Sequence, residues 1–588
     1  MAQGERTLLW EIAFISAAVC AVGYIGFDGL NDYYNVRNGK NYSGASLFYE
    51  TLQLFTLQFS FVDPPKSADG VALGMKLEFA RFAAPLMSSY AVVRALMEIF
   101  AERLRAMRVL FLRGHVVICG LSRKGFALVK DFRQRGISVV MVEWDAENDL
   151  IQNCRDLGAH IVMGDATEDV TLRKAGLERA RMLFAVCDED GVNAETAILA
   201  QTLVTRSAGK ALLEMFLHIE NLRLCGLLRT HGIGELKGAG SRFRIFNIHE
   251  NAARHALKTH PLDGTGLSAS DPRRVQLVLI GFGKMGEMLA LHAAQNGHYA
   301  NGTRLILTVI DRQASARSAA FLTRRPSFKD VCDVEFWNED YESPRVLEAI
   351  EAFARDEKRL LNLIICLPED SQSLTCALRC AEIFKECGVS ILVRLERDSG
   401  LAVLAEHPRA TAGAKIRTFV VGGSFCSEKE IVEKDRARLA RAIHADRRAN
   451  SGPENPIPHW HDLDEETRDF YRQAADHVPV KLRAVDCETA GLENAPESFA
   501  YSEGEIDLLA QMEQRRWMAS RILAGYRFGP TADGKKDSHR RIHPMLVEWA
   551  ALPDSERMAL RAAAARIPEC LRTMGKGIRR RAHKDENK

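Results

Sequence analysis

Two stretches of the chain join a buried-strand pattern to a glycine-rich turn and a helix, and this pair constrains the fold more than any other feature. The first stretch reads HVVICGLSRKG from His115, and the second reads VQLVLIGFGKMG from Val275. A strand that enters a glycine turn and then a helix begins a βαβ unit with a parallel sheet. Because the turns recur about 160 residues apart, two Rossmann-like units in tandem are predicted.

The first unit contains the residue types from which a nucleotide site is built. Its turn is GxGxxG with serine at the middle position, and the next predicted strand ends in the acid Glu143. Glycines let the backbone approach a pyrophosphate, the following helix offers free N–H groups, and the acid can accept from ribose hydroxyls. The candidate ligand residues are Gly120, Ser122, Gly125, Glu143, Asp165 and Asp188. A Rossmann-like scaffold without ligand is the alternative, since Ser122 would crowd the pyrophosphate.

The second unit has an intact GxGxxG, and its next predicted strand also ends in an acid, Asp311. Its candidate ligand residues are Gly281, Gly283, Gly286 and Asp311. An oxidoreductase with two Rossmann domains is one alternative. No substrate domain with an acid–base pair follows either turn, so no catalytic residue is predicted.

The membrane signals lie in the segment 1–110. Thr7–Phe27 is about 21 residues long with Glu11 as its one charge, which predicts a transmembrane helix, with a signal peptide as the alternative. A second span is predicted at Phe79–Phe100, although Pro85 and Arg94 interrupt it, and the alternative is an amphipathic helix against other protein. The basic run after it belongs on the cytoplasmic side, so both termini are predicted to be cytoplasmic.

Between these spans, Ser46–Val62 is apolar and aromatic but too short to span as a helix. It resembles the re-entrant pore loop of two-helix potassium channels, whose filter reads T-V-G-Y-G. The corresponding run here is Thr56, Leu57, Gln58, Phe59 and Ser60, which lacks both glycines. Filter carbonyls need backbone conformations that glycine adopts readily, so a nonselective or non-conducting pore is predicted.

Net charge and cysteine content argue against two further kinds of site, one for nucleic acid and one for a metal ion. The formal net charge is only +2, which argues against a nucleic-acid partner. The 13 cysteines have no CxxC spacing, so no metal site is predicted, and those in apolar strands fit a reducing compartment.

After a linker at Ser451–Pro458 the chain is predicted to be helical, with helices at Glu465–His477, at Glu505–Leu523 and from about Ser555. The basic tail Lys576–Lys588 is predicted to be disordered. Aromatic rings that could stack on a base and a cation that could meet phosphate mark a second candidate site. Its residues are Trp517, Tyr526, Gly529, Pro530, Lys536 and His543. The alternative is that the aromatic rings are the core of a small helical module.

Three groups of motifs resemble known domains. Residues 114–250, with HVVICGLSRKG, VVMVEWD and GDAT, resemble an RCK (TrkA-N) domain, and residues 272–400 resemble a more divergent one. RCK domains after two membrane helices are the layout of ligand-gated potassium channels, which implies four subunits and a ligand such as NAD, ATP/ADP or another nucleotide. Trp517, the GYRFGP turn and HPMLV resemble a RyR domain, which implies a nucleotide-derived signal.

The predicted fold is thus a membrane α-helical anchor, two tandem α/β Rossmann-like RCK domains and a mainly helical RyR domain. The predicted boundaries are 1–110, 111–270, 271–450 and 451–588. The expected function is a nucleotide-sensing, potassium-channel-like protein of the inner membrane, with the lipid bilayer, identical subunits, a nucleotide and K⁺ or other cations as partners. The alternatives are a non-conducting, membrane-anchored nucleotide sensor and an NAD-dependent oxidoreductase.

Overall fold

The chain divides into two compact units, Met1–Phe111 and Leu112–Lys588, which are described separately. The computed structural model describes residues 3–38, 42–56, 74–206, 213–221, 224, 241–384, 387, 389–396, 415–421, 427, 431, 434–452, 456–531 and 536–581.

The N-terminal unit contains three helices. They are α1 (Gln3–Asn38), α2 (Gly44–Phe55) and α3 (Met75–Phe111). Among the described residues, one helical segment, Ala13–Val36, is long and apolar enough to cross a membrane. It overlaps the predicted span Thr7–Phe27. The second predicted span lies within α3, where Arg81 and Arg94 dilute the apolar stretch, so a two-span topology stays a prediction.

Two glycines bring the helices of this unit close together. A methyl group at Gly29 would lie 2.8 Å from the backbone nitrogen of Leu77, and one at Gly26 would lie 2.9 Å from Cδ1 of Leu54. Large apolar side chains also face outward from α1 and α3. They include Phe14, Tyr24, Phe79, Phe82, Leu86 and Val93. The unit therefore has both an inner contact and an apolar outer surface.

Helix α2 coincides with the first part of the predicted pore segment, and Thr56 caps its C-terminal end. The other residues of the filter-like run, Leu57, Gln58, Phe59 and Ser60, lie outside the described residues.

The second unit begins with a parallel six-stranded sheet in the order β3-β2-β1-β4-β5-β6. Its elements are β1 (Val116–Cys119), α4 (Arg123–Gln134), β2 (Val139–Glu143), α5 (Leu150–Asp156), β3 (His160–Met163), α6 (Asp169–Lys174), β4 (Met182–Ala185), α7 (Asp190–Arg206), β5 (Leu213–His218), β6 (Ser241–Phe246) and α8 (Ile248–Thr259). Apolar side chains cover both faces, and the stacked rings of Phe184 and Phe216 lie 4.6 Å apart. The order reverses between β1 and β4, where ligands bind in open parallel sheets.

A second parallel sheet follows in the order β12-β11-β10-β7-β8-β9. Its elements are β7 (Arg274–Ile280), α9 (Lys284–Asn296), β8 (Ile306–Ile310), α10 (Ala314–Arg324), α11 (Phe328–Val331), β9 (Asp333–Trp337), α12 (Pro344–Arg355), β10 (Arg359–Ile365), α13 (Asp370–Ile383), β11 (Ser390–Leu395) and β12 (Lys415–Val420). The two parallel sheets agree with the predicted Rossmann-like pair.

The C-terminal part is mainly helical with short strands. Its elements are α14 (Lys434–Ala449), α15 (Glu465–Ala484), β13 (Cys487–Gly491), α16 (Glu503–Leu523), β14 (Arg527–Phe528), β15 (Ile542–His543), α17 (Asp554–Ala565), α18 (Ile567–Arg572) and β16 (Lys576–Arg580). Helix α15 runs past its predicted end at His477, with Pro479 inside it. Helix α16 begins with a capping box between Ser502 and Glu505.

The prediction of a disordered tail was wrong for its first part. Lys576–Arg580 form β16, which pairs antiparallel with β13. The burial of Ile578 and the ion pair between Arg580 and Glu505 stabilise this strand. Residues 582–588 lie outside the described part of the chain.

Candidate functional site

The first glycine turn adopts the conformation that its sequence requires. Gly120 has φ +99°, and a methyl group there would lie 2.7 Å from the backbone of Cys187. A methyl group at Gly125 would lie 2.1 Å from the carbonyl oxygen of Gly120. Ser122 begins α4 with an extended backbone, and its buried hydroxyl has no hydrogen-bond partner among the described residues. The hydroxyl is thus free to donate to a group held in the turn.

The acid at the end of β2 holds this turn in place. Glu143 is buried, and its Oε2 accepts from the backbone N–H of Leu121 at 2.6 Å. Its Oε1 accepts from the N–H groups of Trp144 and Asp145 at 3.0 and 2.9 Å. Glu143 therefore has a structural role besides the predicted one of accepting from a ribose.

The other two acids of the first unit lie at the ends of β3 and β4. Asp165 is exposed and accepts from both the N–H and the hydroxyl of Thr167, each at 2.8 Å. Asp188 is exposed and lies 3.3 Å from Nζ of Lys124, which follows the glycine turn. Asn193 is fully buried and hydrogen-bonds the backbone of Cys187, so it fixes the end of β4.

The second glycine turn repeats this geometry. Gly281 has φ +91°, and methyl groups at Gly281 and Gly286 would lie 2.5 and 2.3 Å from backbone oxygens. At Gly283 the nearest atom to such a methyl group is Nη1 of Arg317, at 3.7 Å. The middle glycine therefore faces open space, whereas the outer two are required by the backbone.

Asp311 holds the second turn as Glu143 holds the first. Its Oδ2 accepts from the N–H of Phe282 at 2.8 Å and from Nη1 of Arg317 at 2.9 Å. Its Oδ1 accepts from the N–H of Gln313 at 2.7 Å. The acid predicted to meet a ribose is thus already paired with an arginine.

A cavity of about 430 Å³ opens at this second turn. Gly281, Gly283 and Asp311 line it, together with residues that the sequence did not single out. These are chiefly His249, Lys284, Arg312, Arg317 and Arg394. A volume of this order accommodates a nucleotide-sized ligand.

Glu220, which follows β5, joins the two turns. Its carboxylate pairs with Lys284 from the second turn and lies 3.9 Å from Nζ of Lys124 from the first. His249 lies 4.0 Å from the same carboxylate, and burial lowers the pKa of this imidazole to about 4. Both lysines stand within the quoted glycine motifs, but Glu220 has no local sequence signal.

The predicted aromatic residues of the C-terminal part lie near one another. The ring of Trp517 meets that of His543 edge-on at 4.8 Å. Tyr526 is only 2% exposed, beneath the guanidinium groups of Arg521 and Arg541. This burial favours a core role for Tyr526.

The other candidates of this region differ in exposure. Lys536 and Pro530 are exposed, while a methyl group at Gly529 would lie 2.9 Å from Ile542 where β14 and β15 meet. Burial, followed by the charges of Arg521 and Lys536, lowers the pKa of His543 to about 4. The imidazole is therefore neutral at neutral pH.

Comparison with known proteins identifies the domain around the first turn. Residues 116–229 match the TrkA-N domain. This TrkA-N segment contains the glycine turn of β1 and all the acids described for the first unit. The predicted resemblance of this region to an RCK domain is therefore confirmed.

Two curated relatives match a short part of the chain. "Potassium channel protein 1" of Methanocaldococcus jannaschii is 32% identical over 105 residues, which is 17% of this chain and 31% of that protein. "Voltage-gated potassium channel Kch" of Escherichia coli is 30% identical over 93 residues, or 16% of this chain and 22% of that one. The similarity thus spans less than a third of each relative.

Among solved structures, "GsuK channel bound to NAD" is 15% identical and covers 75% of this chain and 86% of that chain, with a TM-score of 0.39. "Crystal structure of the GsuK bound to ADP" is 17% identical and covers 74% and 100%, with a TM-score of 0.36.

Proposed function

We propose that this chain is a nucleotide-regulated, potassium-channel-like protein anchored in the inner membrane by two helices. The observation that carries the proposal is the pair of glycine turns, joined through Glu220, in a chain whose N-terminal unit holds an apolar helix. A nucleotide at either turn would meet a helix N-terminus and a lysine, which together suit phosphate groups. The names of the two curated relatives, both potassium channels, support the channel part of the proposal.

The N-terminal unit supports the membrane part of the proposal. The outward apolar side chains of α1 and α3 form the kind of surface that contacts lipid or a second subunit. A helix of the length of Ala13–Val36 spans the hydrocarbon core of a bilayer. The second span at Phe79–Phe100, both cytoplasmic termini, the four-subunit assembly and the four domain boundaries belong to this proposal.

The proposed ligands are nucleotides such as NAD or ATP/ADP at the turns formed by Gly120, Ser122, Gly125 and Glu143, and by Gly281, Gly283, Gly286 and Asp311. The acids Asp165 and Asp188 complete the first site. The RyR-like region is proposed to recognise a nucleotide-derived signal through Trp517, Lys536 and His543. Regulation requires that the ligand bind one conformation of the protein more tightly than the other.

A flux measurement on the full chain in liposomes tests the proposal. Potassium and sodium efflux is recorded with and without NAD, ADP and ATP, and the variant Gly283→Ala serves as the control in which the second turn is blocked. Flux that responds to a nucleotide in the wild type supports the channel, and a response that the variant loses is assigned to the second turn. Binding without any flux would instead support a non-conducting sensor, which the absence of filter glycines at Gln58 and Ser60 favours. If the protein shows no nucleotide binding and no ion flux, the proposal is overturned.

A further inference from the structure

The two glycine turns differ in the charge that surrounds their acids. Glu143 of the first turn accepts from three backbone N–H groups, whereas Asp311 of the second also pairs with the guanidinium of Arg317. A carboxylate that is free of cations accepts well from ribose hydroxyls. A carboxylate that already pairs with an arginine is a weaker acceptor for a ribose hydroxyl. The second turn is therefore less suited than the first to a ribose with free hydroxyls.

The second cavity is cationic. Lys284, Arg312, Arg317 and Arg394 line it, against the two carboxylates of Asp311 and Glu339. The amino end of α9 adds the partial positive charge of a helix terminus. The lining thus holds four cations and two carboxylates, and three of these cations also pair with carboxylates outside the lining, namely Glu220, Asp340 and Glu396.

Arg312 is placed directly after the acid. Its side chain is 69% exposed and pairs with Asp340, with Nη2 2.6 Å from the carboxylate. An exposed pair of this kind contributes little stability, so the guanidinium can turn from Asp340 to a ligand at small cost. An arginine beside the acid at the end of the second strand is the arrangement that accommodates a phosphate on the ribose.

Arg394 reaches the cavity from the end of β11. Its Nη1 donates to the carbonyl oxygen of Leu367 at 3.1 Å, and Nη2 pairs with Glu396. Its side chain is only 12% exposed, and the buried Nε has no hydrogen-bond partner among the described residues. A buried donor without a partner is costly, and an anionic ligand in the cavity would satisfy it.

We propose that the second cavity selects nucleotides that carry an additional phosphate on the ribose, with Arg312 and Arg317 as the pair that binds it. This inference rests on the proposed nucleotide-regulated function. A phosphate monoester carries nearly two negative charges at neutral pH and three acceptor oxygens, which match two guanidinium groups. The first turn, with Glu143, Asp165 and Asp188 around it, is suited to a ribose with free hydroxyls.

The test is a calorimetric titration of the full chain in detergent with four probes: NADP⁺, NAD⁺, adenosine 2′,5′-bisphosphate and 5′-AMP. In the second cavity, each 2′-phosphorylated probe is expected to bind at least about tenfold more tightly than its unphosphorylated partner. Gly283→Ala assigns the binding to this cavity, because its added methyl group enters the space that the ligand would occupy.

Arg312→Gln separates recognition of the ribose phosphate from binding in general. It is expected to weaken NADP⁺ about tenfold and to leave NAD⁺ unchanged. Arg355→Gln is the matched control, since Arg355 is 72% exposed and pairs with Glu351 in the same Rossmann unit but does not line the cavity.

The titrations test the selectivity for a ribose phosphate separately from nucleotide binding itself. Equal affinity for NADP⁺ and NAD⁺, or an Arg312→Gln variant that binds NADP⁺ like the wild type, would overturn the inference and leave nucleotide binding intact. The absence of heat with all four probes would instead overturn the proposed function along with it.

Discussion

Glu220 and Lys284 form an ion pair between the end of β5 in the first Rossmann unit and the glycine turn of the second. Burial raises the pKa of Glu220, but Lys284 and then Lys124 outweigh it and hold that pKa below its usual value, so the carboxylate is charged at neutral pH. The same lysine is the one that a phosphate in the second cavity would meet. Glu220 and the ligand therefore compete for it.

Glu220→Gln is expected to raise the affinity of the second cavity for phosphorylated nucleotides about two- to fivefold, because it removes this competitor. Titration calorimetry measures the change. Glu351→Gln is the control, since it removes a carboxylate paired with Arg355 outside the cavity. An unchanged or lower affinity in Glu220→Gln would contradict the competition.

The three glycines of the second turn are expected to respond differently to alanine. Gly283→Ala keeps the wild-type melting temperature and loses nucleotide binding in the second cavity, because its methyl group has room in the protein but not beside a ligand. Gly281→Ala and Gly286→Ala lower the melting temperature, since each methyl group meets a backbone oxygen. Thermal unfolding with and without nucleotide distinguishes them, and a destabilised Gly283→Ala would count against this assignment.

Ser122→Ala tests whether the buried hydroxyl of the first turn serves a ligand. Nucleotide affinity at this turn is expected to fall about three- to tenfold, because the hydroxyl no longer donates to a phosphate. Stability should not fall, since the hydroxyl has no described partner in the free protein. Binding is measured by titration in the Gly283→Ala background, and unchanged affinity would assign Ser122 a purely local role.

A buried ion cluster is expected to stabilise the C-terminal part. Glu513 accepts from Lys481 at 2.6 Å and from Arg516 at 2.6 and 3.0 Å, and Arg516 is fully buried. Burial raises the pKa of Glu513, but the two cations hold it well below its usual value. Glu513→Gln leaves both cations uncompensated and should cost about 3–5 kcal/mol in denaturant unfolding. Glu503→Gln, an exposed acid on the same helix, should change stability by less than about 0.5 kcal/mol.

His543 is expected to make the stability of the folded protein depend on pH. Its pKa is lowered to about 4 in the folded protein, against an ordinary value of 6.5. Between these values the unfolded chain binds a proton that the folded chain does not, so stability falls as pH drops from 6.5 toward 4 and is constant above 6.5. His543→Gln should remove only the contribution of His543, because burial also lowers the pKa of other imidazoles such as that of His249, and NMR titration of the His543 imidazole reads its pKa directly. A midpoint near 6.5 would contradict the burial beside Trp517.

The sequence predicted the Rossmann units because their signals are local. Buried strands, the positive φ at Gly120 and Gly281, and helices that start directly afterwards are all encoded by residues that adjoin one another in the chain. The acids at the ends of the second strands were also predictable from spacing, although their hydrogen bonds to the turns were not.

Contacts between residues that lie far apart in the chain were not predicted from the sequence. The pairing of Glu220 with Lys284 joins residues 64 positions apart, and β16 forms only because the distant strand β13 offers it an edge. The basic composition of Lys576–Arg580 predicted disorder. These residues form a strand instead, because Ile578 is buried and the backbone pairs with the edge of β13. A residue's role that depends on a distant partner cannot be read from its neighbours.

Leu121 and Phe282 each donate their backbone N–H to the acid of their own unit, and this has a kinetic consequence. Both turns are closed into shape before a ligand arrives, so the conformational entropy of ordering them is lost during folding rather than during binding. Arrival of a nucleotide then requires only small side-chain movements. Association at either turn should accordingly proceed in a single fast step, without a slow isomerisation of the loop.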